Sequence, residues 1–181
     1  IMDTVDGGAF RRRLYQKDSA SAAAWPTLGE LVAADTRIIL FYYNAPSCEN
    51  QVNDSGVAVG CPNGFHFWFQ YGVNTQFSFD TLEDIEDTAN SCTLTGAGAN
   101  SQQDFFRVNA FVKIPSRTVA STVNNETFAE RRMQDCSSLN ADLPVNFYAV
   151  DFWNRGDVPQ TVQDHNRNLI AVANVNANRR D

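Results

Sequence analysis

Four apolar, β-prone runs constrain this chain more than any other feature: Arg37–Tyr43, Phe65–Tyr71, Phe105–Ile114 and Phe147–Trp153. Arg37–Tyr43 is continuous, the pattern of a strand covered on both faces, and the four together read as the buried type of strand that belongs to parallel sheets flanked by helices. Helix signals precede, separate and follow them. Thr27-Leu-Gly-Glu30 has the spacing of a capping box, with Leu28, Leu31 and Val32 following at helical intervals. Asn125 to Cys136 reads as a second helix carrying Phe128, Arg132 and Cys136 on one face, and Asp157-Val-Pro159 has the acid-then-proline order of a third helix start. The expected fold class is therefore α/β, with parallel strands near 37–43, 65–71, 105–113 and 146–152 joined by helical crossovers; the capped helices argue against a β-sandwich. Four strands are half of what a closed (β/α)₈ barrel needs, and an open sheet of four would leave two bare edges.

The last run ends in a charge. In Pro144-Val-Asn-Phe-Tyr-Ala-Val-Asp151-Phe-Trp-Asn154-Arg-Gly-Asp157, the carboxylate of Asp151 directly follows the apolar segment Phe147 to Val150. Burying an unpaired carboxylate is costly, so such a strand end either opens onto water, a partner or a ligand, or its Asp caps a loop or pairs with an arginine. Spacing alone leaves both open. In parallel α/β architectures, sites are built at the carboxyl ends of strands.

The 181 residues suffice for one domain with a sizeable core, and 43% hydrophobic with 19% charged residues is a globular balance. Residues 1–170 are expected to form that domain and 171–181 a polar tail, the polar character beginning at Asn166. A net charge of -7 argues against a nucleic-acid partner. No apolar run reaches the ~18 residues of a membrane span, and the opening Ile1-Met2-Asp3 has no signal-peptide pattern. Cys48, Cys61, Cys92 and Cys136 are even in number and lack the C-x-x-C spacing of zinc sites. Cys48 and Cys61 flank one long excursion and are expected to pair, leaving Cys92 to pair with Cys136. The sequons Asn53-Asp-Ser55 and Asn125-Glu-Thr127 are candidate glycosylation sites. Together these features favour an extracellular or cell-surface protein. The two histidines, His66 and His165, are expected to be surface or hydrogen-bonded structural residues.

Several segments, taken in order, resemble a known family: Trp25-Pro-Thr-Leu28 before Arg37-Ile-Ile-Leu-Phe41, Thr75-Gln-Phe-Ser-Phe79 leading to Ser91-Cys92, Arg107-Val-Asn109-Ala-Phe111, and the closing Pro144 to Asp157 motif. They resemble the later half of the phosphatidylinositol-specific phospholipase C X-domain-like phosphodiesterases of the secreted eukaryotic type. The resemblance implies a TIM-like (β/α) barrel of which this chain supplies about the last four strands. It also implies that the two catalytic histidines lie in the first half, outside this chain. Asp151 matches the acid that ends the last barrel strand and orients the general-base histidine. Tyr43, Asn44, Gln70, Tyr71 and Asn109, at or near the other strand ends, are candidate substrate contacts by position. Tyr42-Tyr43-Asn44 stands where the family carries a basic substrate-binding residue, so inositol-phosphate specificity is not implied.

The function so implied is part of an extracellular phosphodiesterase domain, cleaving by histidine general acid–base catalysis, with this chain inactive alone. Its expected partners are the missing N-terminal half of the barrel, on the same or a separate polypeptide, and a phospholipid or glycan. No cofactor is called for, and calcium is left open. The alternative is a non-catalytic extracellular structural or glycan-binding protein, using Trp68, Tyr71 and Trp153 as a platform.

Overall fold

The computed structural model describes residues 5–17, 24–43, 65–96 and 103–178. The chain divides into two compact units, Ile1–Tyr71 and Gly72–Asp181. Asn44, Cys48, Asn53 and Cys61 lie outside the described residues.

In the first unit a 3₁₀ turn, Val5–Gly8, leads into the short helix α1 (Ala9–Arg12). Arg13 to Tyr15 then runs extended beside Ile38: Tyr15 N–H donates to Ile38 O at 2.7 Å and Ile38 N–H to Arg13 O at 2.9 Å. Helix α2 (Leu28–Ala33) opens on the expected capping box, in which Thr27 Oγ1 accepts from Glu30 N–H and the Glu30 carboxylate accepts from Thr27 N–H at 2.7 Å. Those bonds hold the Glu30 carboxyl below its usual range. Of its apolar residues only Leu31 turns inward; Leu28, Val32 and Ala33 are exposed. Strand β1 (Leu40–Tyr42) pairs in parallel with β2 (Phe65–Phe67), with Leu40 opposite Phe65.

The expected strand over 65–71 stops at Phe67, and Trp68–Tyr71 forms a single helical turn, α3. The reason lies in the spacing of its two largest side chains. Trp68 and Tyr71 are three residues apart, which a helical turn places on one face, and both are buried. A strand would have pointed them to opposite sides.

His66 sits inside this unit among Tyr15, Trp25, Phe41 and Tyr71, with Nε2 3.1 Å from Tyr15 O. A carbonyl only accepts, so the neutral ring donates its Nε2–H. Burial lowers the pKa of this imidazole below its ordinary value. In the unfolded chain it would bind a proton near pH 6.5, so below that pH the unfolded state holds more protons than the folded one and stability falls with acid. His66 therefore contributes fully above about pH 6.5 and progressively less as the pH drops toward its folded pKa. The urea midpoint of this unit, followed by the fluorescence of nearby Trp25, should fall on acidification over that range. His66→Gln, which can still donate to Tyr15 O, should flatten the slope; an unchanged slope would assign the acid sensitivity elsewhere.

The second unit is a mixed sheet in the order β4-β3-β5-β6, built from β3 (Gly72–Thr75), β4 (Leu94–Thr95), β5 (Phe105–Ala110) and β6 (Phe147–Val150). Strands β3, β5 and β6 are parallel and β4 runs antiparallel along β3. Its helices are α4 (Leu82–Glu86), α5 (Thr88–Ser91), α6 (Arg117–Val123), α7 (Glu126–Leu139) and α8 (Val158–Asn178). The protein is thus mixed α/β, and its described strands form two open sheets rather than a closed barrel. Helix α8 continues to Asn178, so the stretch read as turning polar at Asn166 is helical over most of its length.

One face of this sheet is apolar and covered. Val73, Phe106 and Val108 pack with Cys92, Cys136 and Leu143, while Phe79, Ala110 and Val112 pack with Ile85, Val123 and Phe128. The expected Cys92–Cys136 disulfide lies within the first cluster, joining the end of α5 to α7 with Cα atoms 4.9 Å apart.

Arg132, on the buried face of α7 as its spacing predicts, is 2% exposed and forms no ion pair among the described residues. Its guanidinium donates to Asn109 O at 2.9 Å from Nη2, and from Nη1 to Ile85 O at 2.6 Å and Ser91 Oγ at 2.8 Å. It also lies over the Phe79 ring at 5.4 Å. Burial pushes its pKa down to about 10, which leaves it cationic at neutral pH. One side chain thereby ties β5 to α4 and α5. Arg132→Met keeps the bulk but removes these bonds: Ile85 O keeps the one it accepts from Ser91 Oγ at 2.9 Å, whereas Asn109 O and Ser91 Oγ lose the guanidinium as donor, each loss costing about 1–3 kcal/mol. Release of a desolvated charge offsets part of that. The expected net loss is about 2 kcal/mol in urea unfolding; a loss under about 1 kcal/mol would show that the two acceptors find other donors.

Candidate functional site

The core positions on β3 and β5 alternate with Asn74, Arg107 and Asn109, whose side chains turn to the second face of the sheet. Asn74 lies opposite Arg107 in the register, and Asn109 opposite Ala149. Asp151 follows at the carboxyl end of β6. The second face thus mixes these polar side chains with Phe105, Phe147 and Ala149, where the first is apolar.

Asn109 is fully buried and fixed: its N–H donates to Thr75 Oγ1 at 2.9 Å, and its Nδ2 donates to Thr75 O at 3.1 Å and Gln76 O at 3.2 Å. Its Oδ1, like that of buried Asn74, accepts no hydrogen bond among the described residues. Two buried acceptors are therefore left over on this face, and such acceptors normally find a partner.

Asp151 is half-buried, and its carboxylate takes no hydrogen bond or ion pair from a described residue. Ala110, Val112, Val119, Ala120 and Val123 line the apolar floor beside it. Its position is set by its backbone. Asn124, fully buried at the end of α6, donates from Nδ2 to Asp151 O at 3.0 Å and to Phe152 O at 3.2 Å, while its own carbonyl accepts from Asp157 N–H at 2.8 Å. Tyr148 adds a bond from β6 to the same place, its hydroxyl donating to Val123 O at 2.9 Å; burial raises the pKa of that phenol. The loop turns through left-handed backbone at Phe152 (φ 47°) and Gly156 (φ 75°). A Cβ on Gly156 would fall 2.6 Å from Asn124 O, so only glycine fits there.

The other residues singled out in the sequence are placed as follows. Tyr43, Gln70 and Tyr71 belong to the first unit. Tyr43 is partly exposed and stacks on Trp68 at 5.9 Å, Gln70 is exposed on α3, and Tyr71 is buried edge-on to Trp25 at 5.1 Å. Trp68 and Tyr71 are thus core residues of that unit, whereas Trp153, 70% exposed beside Asp151 in sequence, is at the surface. His66 is the hydrogen-bonded structural residue expected. His165, half-buried on α8, lines a cleft of about 500 Å³ with Glu130, Met133, Asp142 and Val145. Neither histidine is hydrogen-bonded to Asp151. No group of three or more His, Cys, Asp or Glu among the described residues could hold a metal ion.

Sequence reading missed Asn74, Asn124 and Gly156, and quoted Arg107 without giving it a place in the site. A visible signal for Asn124 was its position between two helix patterns, where an Asn pair marks a turn. Its bond to a loop 27 residues away was not visible.

A mixed sheet whose last parallel strand ends in a carboxylate belongs to an α/β domain, the class in which sites are built at strand ends. The family model described as PI-PLC X 1 matches residues 5–166. The chain belongs to this family, and membership points to a phospholipase C-like phosphodiesterase domain. No curated protein and no solved structure matches the chain.

Proposed function

We propose that this chain is the later part of an extracellular phosphodiesterase barrel, with its parallel strands as staves, and that Asp151 orients a general-base histidine supplied from outside the chain. The observation that carries this is the carboxylate of Asp151: unpartnered among the described residues, at the carboxyl end of β6, its backbone held by Asn124. A carboxylate in that role fixes the tautomer of an imidazole and stabilises the imidazolium formed when the imidazole takes a proton. Arg107 and the free acceptors of Asn74 and Asn109 share the sheet face that a barrel would enclose, and they are the groups we assign to the substrate headgroup. Tyr43, Asn44 and Gln70 remain candidate contacts by their place in the chain, whereas Tyr71 is taken up by the core of the first unit. The Cys92–Cys136 disulfide fits an oxidising, extracellular location, and no described helix is long and apolar enough to cross a membrane.

The test is made on the native protein. Its intact mass, with and without reduction, would reveal any further polypeptide. The preparation should hydrolyse phosphatidylinositol vesicles or a chromogenic aryl phosphodiester, and this chain alone should not. A complete protein with no histidine facing Asp151 and no hydrolysis would overturn the proposal. Exposed Trp153 supports a second reading, a glycan-binding protein that keeps the fold without the chemistry. Oligosaccharide binding weakened by Trp153→Ala, without hydrolysis, would select it.

A further inference from the structure

We propose that Asn125 carries an N-linked glycan, and that its carboxamide caps helix α7 both with and without the sugar. The sequon Asn125-Glu126-Thr127 falls on the first turn of α7, and all three residues are exposed. Asn125 is the N-cap, with extended backbone (φ -69°, ψ 141°) and its Oδ1 accepting from Thr127 N–H at 3.1 Å. Its Nδ2 makes no hydrogen bond to a described residue. The two ends of this carboxamide are therefore divided between two tasks: the oxygen serves the helix and the nitrogen faces solvent.

N-glycosylation uses the nitrogen alone. One Nδ2–H is exchanged for a bond to the anomeric carbon of a sugar carried on a lipid pyrophosphate. The anomeric C–O bond breaks, the lipid pyrophosphate leaves with the bonding electrons, and the amide proton passes to a base. The product is still an amide with the same carbonyl oxygen, so the cap survives. Transfer acts on the nascent chain, and what the fold adds is that the product fits: an exposed nitrogen, on an exposed turn, with no contact to break. The buried Cys92–Cys136 disulfide is the product of an oxidising compartment, and in eukaryotes N-glycan transfer occurs in such a compartment. The inference rests on the extracellular part of the proposed function and not on phosphodiester cleavage. Because neighbouring Asn124 is bonded to the backbone leaving β6, the glycan would stand at the same end of the sheet as Asp151.

The full chain is expressed behind a cleavable secretion leader in a eukaryotic host. The peptide containing Asn125 is then analysed from both secreted and retained material, before and after peptide-N-glycosidase. A hexose- and hexosamine-bearing peptide is expected, in which enzyme treatment removes the sugar and leaves an aspartate in place of the asparagine. Thr127→Ala and Asn125→Asp should lose the sugar and keep the cap, so their urea midpoints should match that of the enzymatically deglycosylated chain. Asn125→Gln should lose both sugar and cap and unfold at lower urea. An unmodified Asn125 peptide in all material overturns the proposal. A Thr127→Ala midpoint as low as that of Asn125→Gln overturns the shared cap. Neither outcome depends on whether the complete protein hydrolyses a phosphodiester.

Discussion

Asp151→Asn in the complete polypeptide should slow phosphodiester hydrolysis by roughly 10²–10³-fold, in kcat rather than KM, while leaving the unfolding midpoint unchanged. The equivalent change in a Ser-His-Asp triad costs about 10⁴, because the imidazole is left in the wrong tautomer and its cation loses a counter-charge. A smaller loss is expected here because an alcohol leaving group in a phosphodiester is easier to expel than the amine of a peptide. Stability should be spared because the carboxylate supports no hydrogen bond of the described fold; the bonds at this position go to its main-chain carbonyl, which Asn retains. A normal rate would remove Asp151 from the chemistry. A protein that failed to fold would make the residue structural.

Loss of the Cys92–Cys136 crosslink should be the largest single cost to stability. The bridged residues are 44 apart, and the chain-entropy treatment of a loop of that length gives about 4 kcal/mol. For a domain of ordinary stability, about 5–15 kcal/mol, that is a large fraction of the whole. Both sulfurs sit in an apolar cluster, so the informative variant is Cys92→Ala with Cys136→Ala, which adds no buried hydroxyl. Asn140 Nδ2 still bridges Cys92 O at 3.0 Å and Cys136 O at 2.7 Å, which should keep the two ends close after the sulfurs are gone. Urea unfolding of the double variant should show a loss of about 3–4 kcal/mol, and a loss under about 1 kcal/mol would mean that the local geometry already constrains the unfolded chain.

The strands that could be read from the sequence are those whose burial is met by apolar side chains. Strands β5 and β6 announce themselves through Phe106, Val108, Tyr148 and Val150. Strand β3 does not: Asn74 and Thr75 are buried, but Thr75 meets its burial with hydrogen bonds to Asn109, which no hydropathy pattern reveals. Strand β4 is only two residues long and owes its existence to its partner. The turn α3 was hidden because an aromatic run satisfies strand and helix periods equally until the buried pair, Trp68 and Tyr71, decides between them. Arg132 was legible as an inward-facing position of α7, but not its acceptors, which come from three separate segments. Of the site, the terminal carboxylate was visible and the groups that hold it were not.

Residues 151–157 are largely exposed and bury little of their own. Their shape is borrowed through Asn124 from the junction of two helices, so an error in that junction reaches the carboxylate through the backbone it holds. Because Ala120 and Val123 of α6 are also core residues, a lesion in α6 would register in a melting curve as well as at the Asp151 loop. The role proposed for Asp151 would thus depend on a residue that supports it only through main-chain bonds.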